Sequence, residues 1–252
     1  MDPVYASLKR AARSIVARFP VPDFYRDHLR EYQRSRRSLE IDPLMTELTG
    51  FVAGQLDNDY GHGLDHALKV ARDAGAIVLV EYAVTPAENM DVLTGVRLAQ
   101  AAGLLHDIRR KVSDHAAAGA AAAAPILDRF RFSPRDIDAV CHAISNHEAF
   151  RDPIASPFSE ARLISDSLYD ADKFRWGPDN FNDMVWEMVA FTNPPLKEFV
   201  SRYPSGMAKL RRIRSTFRSR PGRRYGPQFI DLGIAIGEEL LSRILREYSH
   251  LL

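Results

Sequence analysis

A histidine followed directly by an aspartate closes an apolar run in Gly103-Leu104-Leu105-His106-Asp107-Ile108. Packing alone gives a poor reason for an imidazole and a carboxylate there, because a buried polar group costs free energy unless it has a partner. Elsewhere the chain offers His66, His115, His147 and Asp172, each on or beside an apolar helical face. One inward histidine is most simply a core residue with a hydrogen bond. Several imidazoles and carboxylates on successive helices are better served by one shared cation, which offsets the desolvation of them all. Mixed nitrogen and oxygen ligation suits a divalent transition metal such as Mn, Fe, Co, Ni or Zn. One ion is expected, with two as the alternative.

The elements that must position these groups read as helices. Residues 1–45 are polar and broken at Pro20 and Pro22, with Arg26, Arg30, Arg34 and Arg37 on one solvated side. Leu44, Leu48, Phe51, Val52 and Leu56 recur at helical spacing over 44–58. His66, Val70, Ala74 and Ile77 share a face of the next helix, so His66 looks inward at its first turn, and Pro86 follows its end. Over 89–108, Val92, Val96, Ala99, Ala102, Gly103 and His106 recur every three or four residues, and the small side chains among them admit a close neighbouring helix. The alanine-rich stretch 116–124 predicts a tightly packed helix that stops at Pro125.

Ser133-Pro134 is a helix start, and Ile137, Val140, Cys141 and Ile144 form one face that His147 and Glu148 extend. His142 falls on the polar side and is expected in solvent. Ile164, Leu168, Ala171 and Asp172 share a face over 159–174. Asn193-Pro194-Pro195 breaks a helix carrying Met184, Met188 and Phe191. From Lys209 to Arg224 there are eight basic residues and no acid, read first as a solvated face and second as a phosphate clamp or nucleic-acid patch. Tyr225-Gly226-Pro227 reads as a turn before a last helix over 229–245. No stretch alternates as a strand. The expected fold is all-α, with an N-terminal helical extension (1–45), a core (46–192) and a C-terminal helical extension (193–252).

The 252 residues suffice for a substantial core, and a formal charge of +1 sets up no global field toward nucleic acid or membrane. The single cysteine, Cys141, excludes an intramolecular disulfide. The first residues lack a secretory apolar stretch, and the most apolar run, 74–84, is too short to span a bilayer. A cytoplasmic location is expected.

His66 in H-x-x-K-V, then His106-Asp107, then Asp172 in D-A-D-K resemble, as an ordered set, the HD-domain phosphohydrolase superfamily over residues 50–175. His62-x-x-x-His66 and Asp170-Ala171-Asp172-Lys173 resemble small bacterial HD hydrolases acting on nucleotides or other phosphoesters. The resemblance implies an HD-domain helical bundle in which His66, His106, Asp107 and Asp172 hold the metal. Asp170 competes for the last place, and Asp172 is preferred because it lies on the apolar face. In similar hydrolases a histidine at the place of His115 reaches substrate or a second metal, and His147-Glu148 stands where two-metal relatives carry a histidine pair.

The implied chemistry is hydrolysis of a phosphoester or phosphoanhydride in a nucleotide or small phosphorylated metabolite by metal-activated water. Asp107 would orient the water, and His115 or His147 would protonate the leaving oxygen or neutralise charge. Lys173 is assigned to catalysis and substrate binding, and His62, Arg109 and Lys111 to substrate binding. Two other readings follow from the same residues: an HD-like di-iron oxygenase, and a non-catalytic helical module that binds nucleic acid through the 209–224 segment.

Overall fold

A computed structural model describes residues 2–55 and 63–252, so the His62 assignment lies outside the described residues. The chain is all-α, with no strand among the described residues. Its helices are α1 (Pro3–Val16), α2 (Asp23–Asp27), α3 (Leu29–Ile41), α4 (Pro43–Ala53), α5 (Leu64–Tyr82), α6 (Val92–Leu105), α7 (His115–Arg129), α8 (Pro134–Ser145), α9 (Ser159–Phe174), α10 (Val185–Thr192), α11 (Leu196–Ile213) and α12 (Arg220–Glu247). A π-helical turn, Asn180–Met184, leads into α10.

The starts are chemically ordinary. Asp2, Asp42, Asp91, Ser133 and Ser219 cap α1, α4, α6, α8 and α12 by accepting a backbone N–H in the first turn. Helix α5 is the axis of the molecule: it packs against α3, α6, α9 and α12, and residues 73–80 are all buried. Its crossing with α6 is close enough that a Cβ on Gly103 would lie 2.6 Å from the Ala71 Cα. The small-residue face expected of 89–108 therefore has its physical reason in this contact, which brings the end of α6 beside the start of α5.

Helix α9 is fastened at its C-terminal end. Arg175, 5 % exposed, pairs with Asp73 of α5 and with Asp179. It also donates to the Tyr25 hydroxyl of α2 at 2.6 Å, and that hydroxyl donates to Asp73 at 2.8 Å. Phe24, Phe174 and Phe229 pack around this knot, the last two stacked at 4.1 Å.

Three local expectations are corrected. Pro125 does not stop its helix: α7 runs through it, and both Pro125 and Ala121, the residue whose carbonyl loses its N–H partner, are on the exposed face. Tyr225-Gly226-Pro227 is not a turn but part of α12. Gly226 is there because a Cβ would fall 2.4 Å from the Phe217 ring. The helix carrying the His-Asp doublet ends at Leu105, and the doublet sits in the turns that follow.

Candidate metal centre

The doublet gains its geometry from leaving the helix. His106 is the C-cap of α6, and its Nδ1 lies 2.8 Å from the Gly103 carbonyl. A carbonyl oxygen only accepts, so Nδ1 carries the proton and Nε2 presents a lone pair inward. His147, two residues past α8, repeats the device with Nδ1 2.7 Å from the Ile144 carbonyl. Each ring satisfies a helix-terminal carbonyl three residues back, and the same bond aims Nε2.

Side chains from separate places gather here: His66, His106 and Asp107 form one close group, and Asp172 stands against its two imidazoles. His66 Nε2, from the first turn of α5, lies 3.3 Å from His106 Nε2, 3.4 Å from Asp172 Oδ1 and 3.9 Å from Asp107 Oδ2. His106 Nε2 lies 3.3 Å from Asp107 Oδ2 and 3.9 Å from Asp172 Oδ1. Two donors that share an ion at about 2.1 Å can be no more than about 4.2 Å apart, and all five separations satisfy this. The other Asp172 oxygen is paired with Lys173, whose ammonium also donates to the His147 carbonyl at 2.9 Å. All four ligand candidates are buried. The group of His66, His106 and Asp107 thus fits a divalent cation, with the Asp172 carboxylate beside both imidazoles.

The electrostatics agree. Burial works against a charged Asp172, but Lys173, His66 and His106 outweigh it and hold the carboxyl well below the usual range. Burial also opposes protonation of His106, yet Asp107 and Asp172 raise its pKa above the ordinary value. Two carboxylates and a carbonyl end of a helix make the pocket a sink for positive charge.

Asp107 faces two ways. Its Oδ1 lies 3.6 Å from His147 Nε2 and 3.8 Å from His115 Nε2, so Asp107, His115 and His147 make a second donor group beside the first. In that group Arg110 Nη1 donates to His115 Nε2 at 2.6 Å, and His115 Nδ1 donates to Glu148 at 2.8 Å. Burial, then Arg110 and His147, lower the His115 pKa to about 4, so the ring is neutral at pH 7. Glu148 orients His115, a role that its place in the H-E dipeptide did not announce.

A cavity of about 300 Å³ opens onto this second group, and Arg110, Lys173 and Lys209 line it together with Trp176. Arg109 and Lys111 are exposed and stand outside that lining. The turns after Leu105 return residue 110 to Asp107, whose carbonyl accepts from the Arg110 N–H at 2.9 Å, and leave 109 and 111 on the outside. Asp170 points away from the centre. It accepts from the backbone N–H groups of Arg218 and Ser219, at 2.8 and 2.7 Å, and from the Ser219 hydroxyl at 2.6 Å. Burial still pushes its carboxyl up to about 7. Gly222 is needed beside it, since a Cβ there would lie 1.9 Å from Asp170 Oδ2.

The basic run is divided among α11, a turn and α12, and three of its eight charges have carboxylate partners. Arg211 meets Glu238, Arg214 meets Asp231, and the Arg220 guanidinium lies 3.8 Å from Glu81. Arg218 stacks over Tyr169 at 3.6 Å and donates to the Asn146 carbonyl at 2.9 Å. His142, expected in solvent, is half-buried with Nε2 2.8 Å from the Ser156 hydroxyl and 3.1 Å from the Asn146 amide. It braces the segment after His147. His142→Ala should therefore lower unfolding free energy by about 1 kcal/mol, read by urea denaturation, rather than leave stability unchanged.

No family model and no curated protein matches the chain. Among solved structures it is similar to the crystal structure of a predicted HD superfamily hydrolase from an uncultured Thermotogales bacterium. The two are 21 % identical with a TM-score of 0.50, over 80 % of this chain and 93 % of that one. The fold is that of an HD domain. The buried cluster of His66, His106 and Asp107, with Asp172 beside it, fits the metal site of that fold. Among the described residues no helix is long and apolar enough to cross a membrane.

Proposed function

We propose that the chain is a metal-dependent phosphohydrolase acting on a small phosphoester or phosphoanhydride. The observation that carries this reading is the group of His66, His106 and Asp107 at separations of 3.3–3.9 Å, with Asp172 within 3.9 Å of both imidazoles, beside a cavity whose lining includes Arg110, Lys173 and Lys209. A bound divalent ion supplies water of lowered pKa and polarises a phosphoryl oxygen. The protein supplies the rest. Arg110, Lys173 and Lys209 face the cavity and would hold the negative charge of a phosphoryl group in place. Asp107 Oδ1 and His147 Nε2, both acceptors, would take hydrogen bonds from the attacking water. Neutral His115, its Nδ1 turned to Glu148 and its Nε2 to Arg110, would hold the guanidinium in place beside the phosphoryl group; the proton for the leaving oxygen would come from solvent in the same cavity.

One ion is favoured over two because the Arg110 guanidinium already places a positive charge on His115 Nε2. The same contact weighs against a di-iron oxygenase. The pairing of Arg211, Arg214 and Arg220 with carboxylates weighs against a nucleic-acid module. Metal analysis of protein purified without added metal, followed by a phosphate-release panel of nucleotides, sugar phosphates and aryl phosphates with the ion found, tests the proposal. One transition ion per chain and release from at least one class are expected. No ion taken up on reconstitution, and no release, would sink it.

A further inference from the structure

A second cavity, of about 440 Å³, lies between the π-helical turn, α10 and α11. It shares Arg110, Trp176 and Lys209 with the cavity at the metal centre. Its wall is of a different kind, mainly apolar, with Phe181, Met184, Met188, Val189, Met207 and Leu210 among its side chains. Three of the polar side chains on the wall have partners within the chain, and Asn180 is a further polar group there. The Tyr203 hydroxyl donates to the Gly237 carbonyl at 2.8 Å, the Thr192 hydroxyl to the Met188 carbonyl at 3.0 Å, and Arg202 pairs with Glu198 at 2.5 Å.

A nucleobase or sugar needs several hydrogen-bond partners from its pocket, and this mainly apolar wall offers few. An apolar group needs none and gains from leaving water. The charge is arranged to match: cations stand where the two cavities meet, and apolar surface lies beyond them. A molecule with a phosphate at one end and a hydrocarbon or aryl group at the other would place the first beside the metal centre and the second between α10 and α11. Resting on the phosphohydrolase reading, we propose that the substrate is an amphiphilic phosphomonoester whose apolar part occupies this second cavity.

Gly206, on the wall of the cavity, gives a clean test because a Cβ there meets nothing within 4 Å. Gly206→Trp should fill the space without disturbing the helix, which loses only a poor helix former; circular dichroism checks the fold. Calorimetric titration of Mn²⁺-loaded protein would compare methyl-, butyl-, hexyl- and octylphosphonate, below micelle-forming concentrations, with adenosine and thymidine monophosphates. In the wild type the Kd should fall with chain length, by up to about fourfold per buried methylene. Octylphosphonate should bind more tightly than either nucleotide, and Gly206→Trp should flatten the series.

A series flat in the wild type, or nucleotides bound more tightly than octylphosphonate, would overturn the inference while hydrolysis of any phosphoester still upheld the enzyme. A chain-length dependence that Gly206→Trp removes, without turnover of the matching alkyl phosphates, would uphold the cavity and remove the hydrolase. No phosphonate bound and no ester cleaved would remove both.

Discussion

Asp107→Ala is expected to purify as a folded helical protein without bound transition metal, and with phosphoester turnover lowered at least about a thousandfold. The size of the effect comes from the two-sided use of one carboxylate. Its Oδ2 belongs to the group of His66 and His106, and its Oδ1 to the group of His115 and His147. Alanine removes a ligand from the first and the acceptor that aligns water in the second. The fold should survive because His106 and His147 keep their bonds to helix-end carbonyls, and the α5–α6 crossing at Gly103 is untouched. Asp170→Asn is the control from the same neighbourhood of the sequence as Asp172. It should cost stability, through the contacts with Arg218 and Ser219, and leave metal content at the wild-type value. Plasma mass spectrometry of the two variants beside wild type decides: a full complement of metal in Asp107→Ala removes the proposed centre.

Arg175→Met should be the most destabilising substitution outside the centre. Asp73 is 1 % exposed, and its charge is matched by this guanidinium. Breaking a buried pair from one side leaves an uncompensated charge and costs about 3–5 kcal/mol. For a chain of this size that corresponds to roughly 6–20 °C in Tm. Burial pushes the Asp73 carboxyl up to about 6, against the pull of Arg175 and the Tyr25 hydroxyl. A carboxyl whose pKa is higher folded than unfolded contributes stability below the unfolded value of about 3.9 and loses it as pH rises through the folded one. Without the guanidinium the folded pKa climbs further, so the variant keeps Asp73 protonated to higher pH. The deficit relative to wild type should consequently be smaller at pH 5 than at pH 8 in thermal melts. A deficit independent of pH would mean that Arg175 acts by packing alone. Adding Asp73→Asn to Arg175→Met should recover part of the loss.

What could be read from the sequence followed helical periodicity. His66, His106 and Asp172 were legible because each sits on an apolar stripe where an ionisable group has no packing reason to be. The preference for Asp172 over Asp170 came from the same stripe, and the structure places Asp172 among the histidines and Asp170 against residues 218 and 219. Gly103 was legible as part of a small face. Groups placed by turns were harder to read. Arg110 rather than its neighbours reaches the cavity because of how the chain curls after Leu105, and no helical repeat encodes that. Glu148 acts through His115, thirty-three positions away in sequence. Pro125 and Pro227 misled because a proline breaks a helix only where its lost bond cannot be replaced, and in both cases the residue whose carbonyl loses its partner is exposed. The apolar cavity is assembled from residues over 176–210 whose stripes read as ordinary core.

The bonds from His106 and His147 to the ends of α6 and α8 have a practical consequence for choosing the ion. The polypeptide, not the cation, sets the direction of both rings, so a chelated protein retains the cradle. Ions of the same charge can then be exchanged in one preparation without a cycle of unfolding and refolding. Differences in rate between Mn²⁺, Co²⁺, Ni²⁺ and Zn²⁺ forms would report on Lewis acidity and coordination preference, with the protein as a constant.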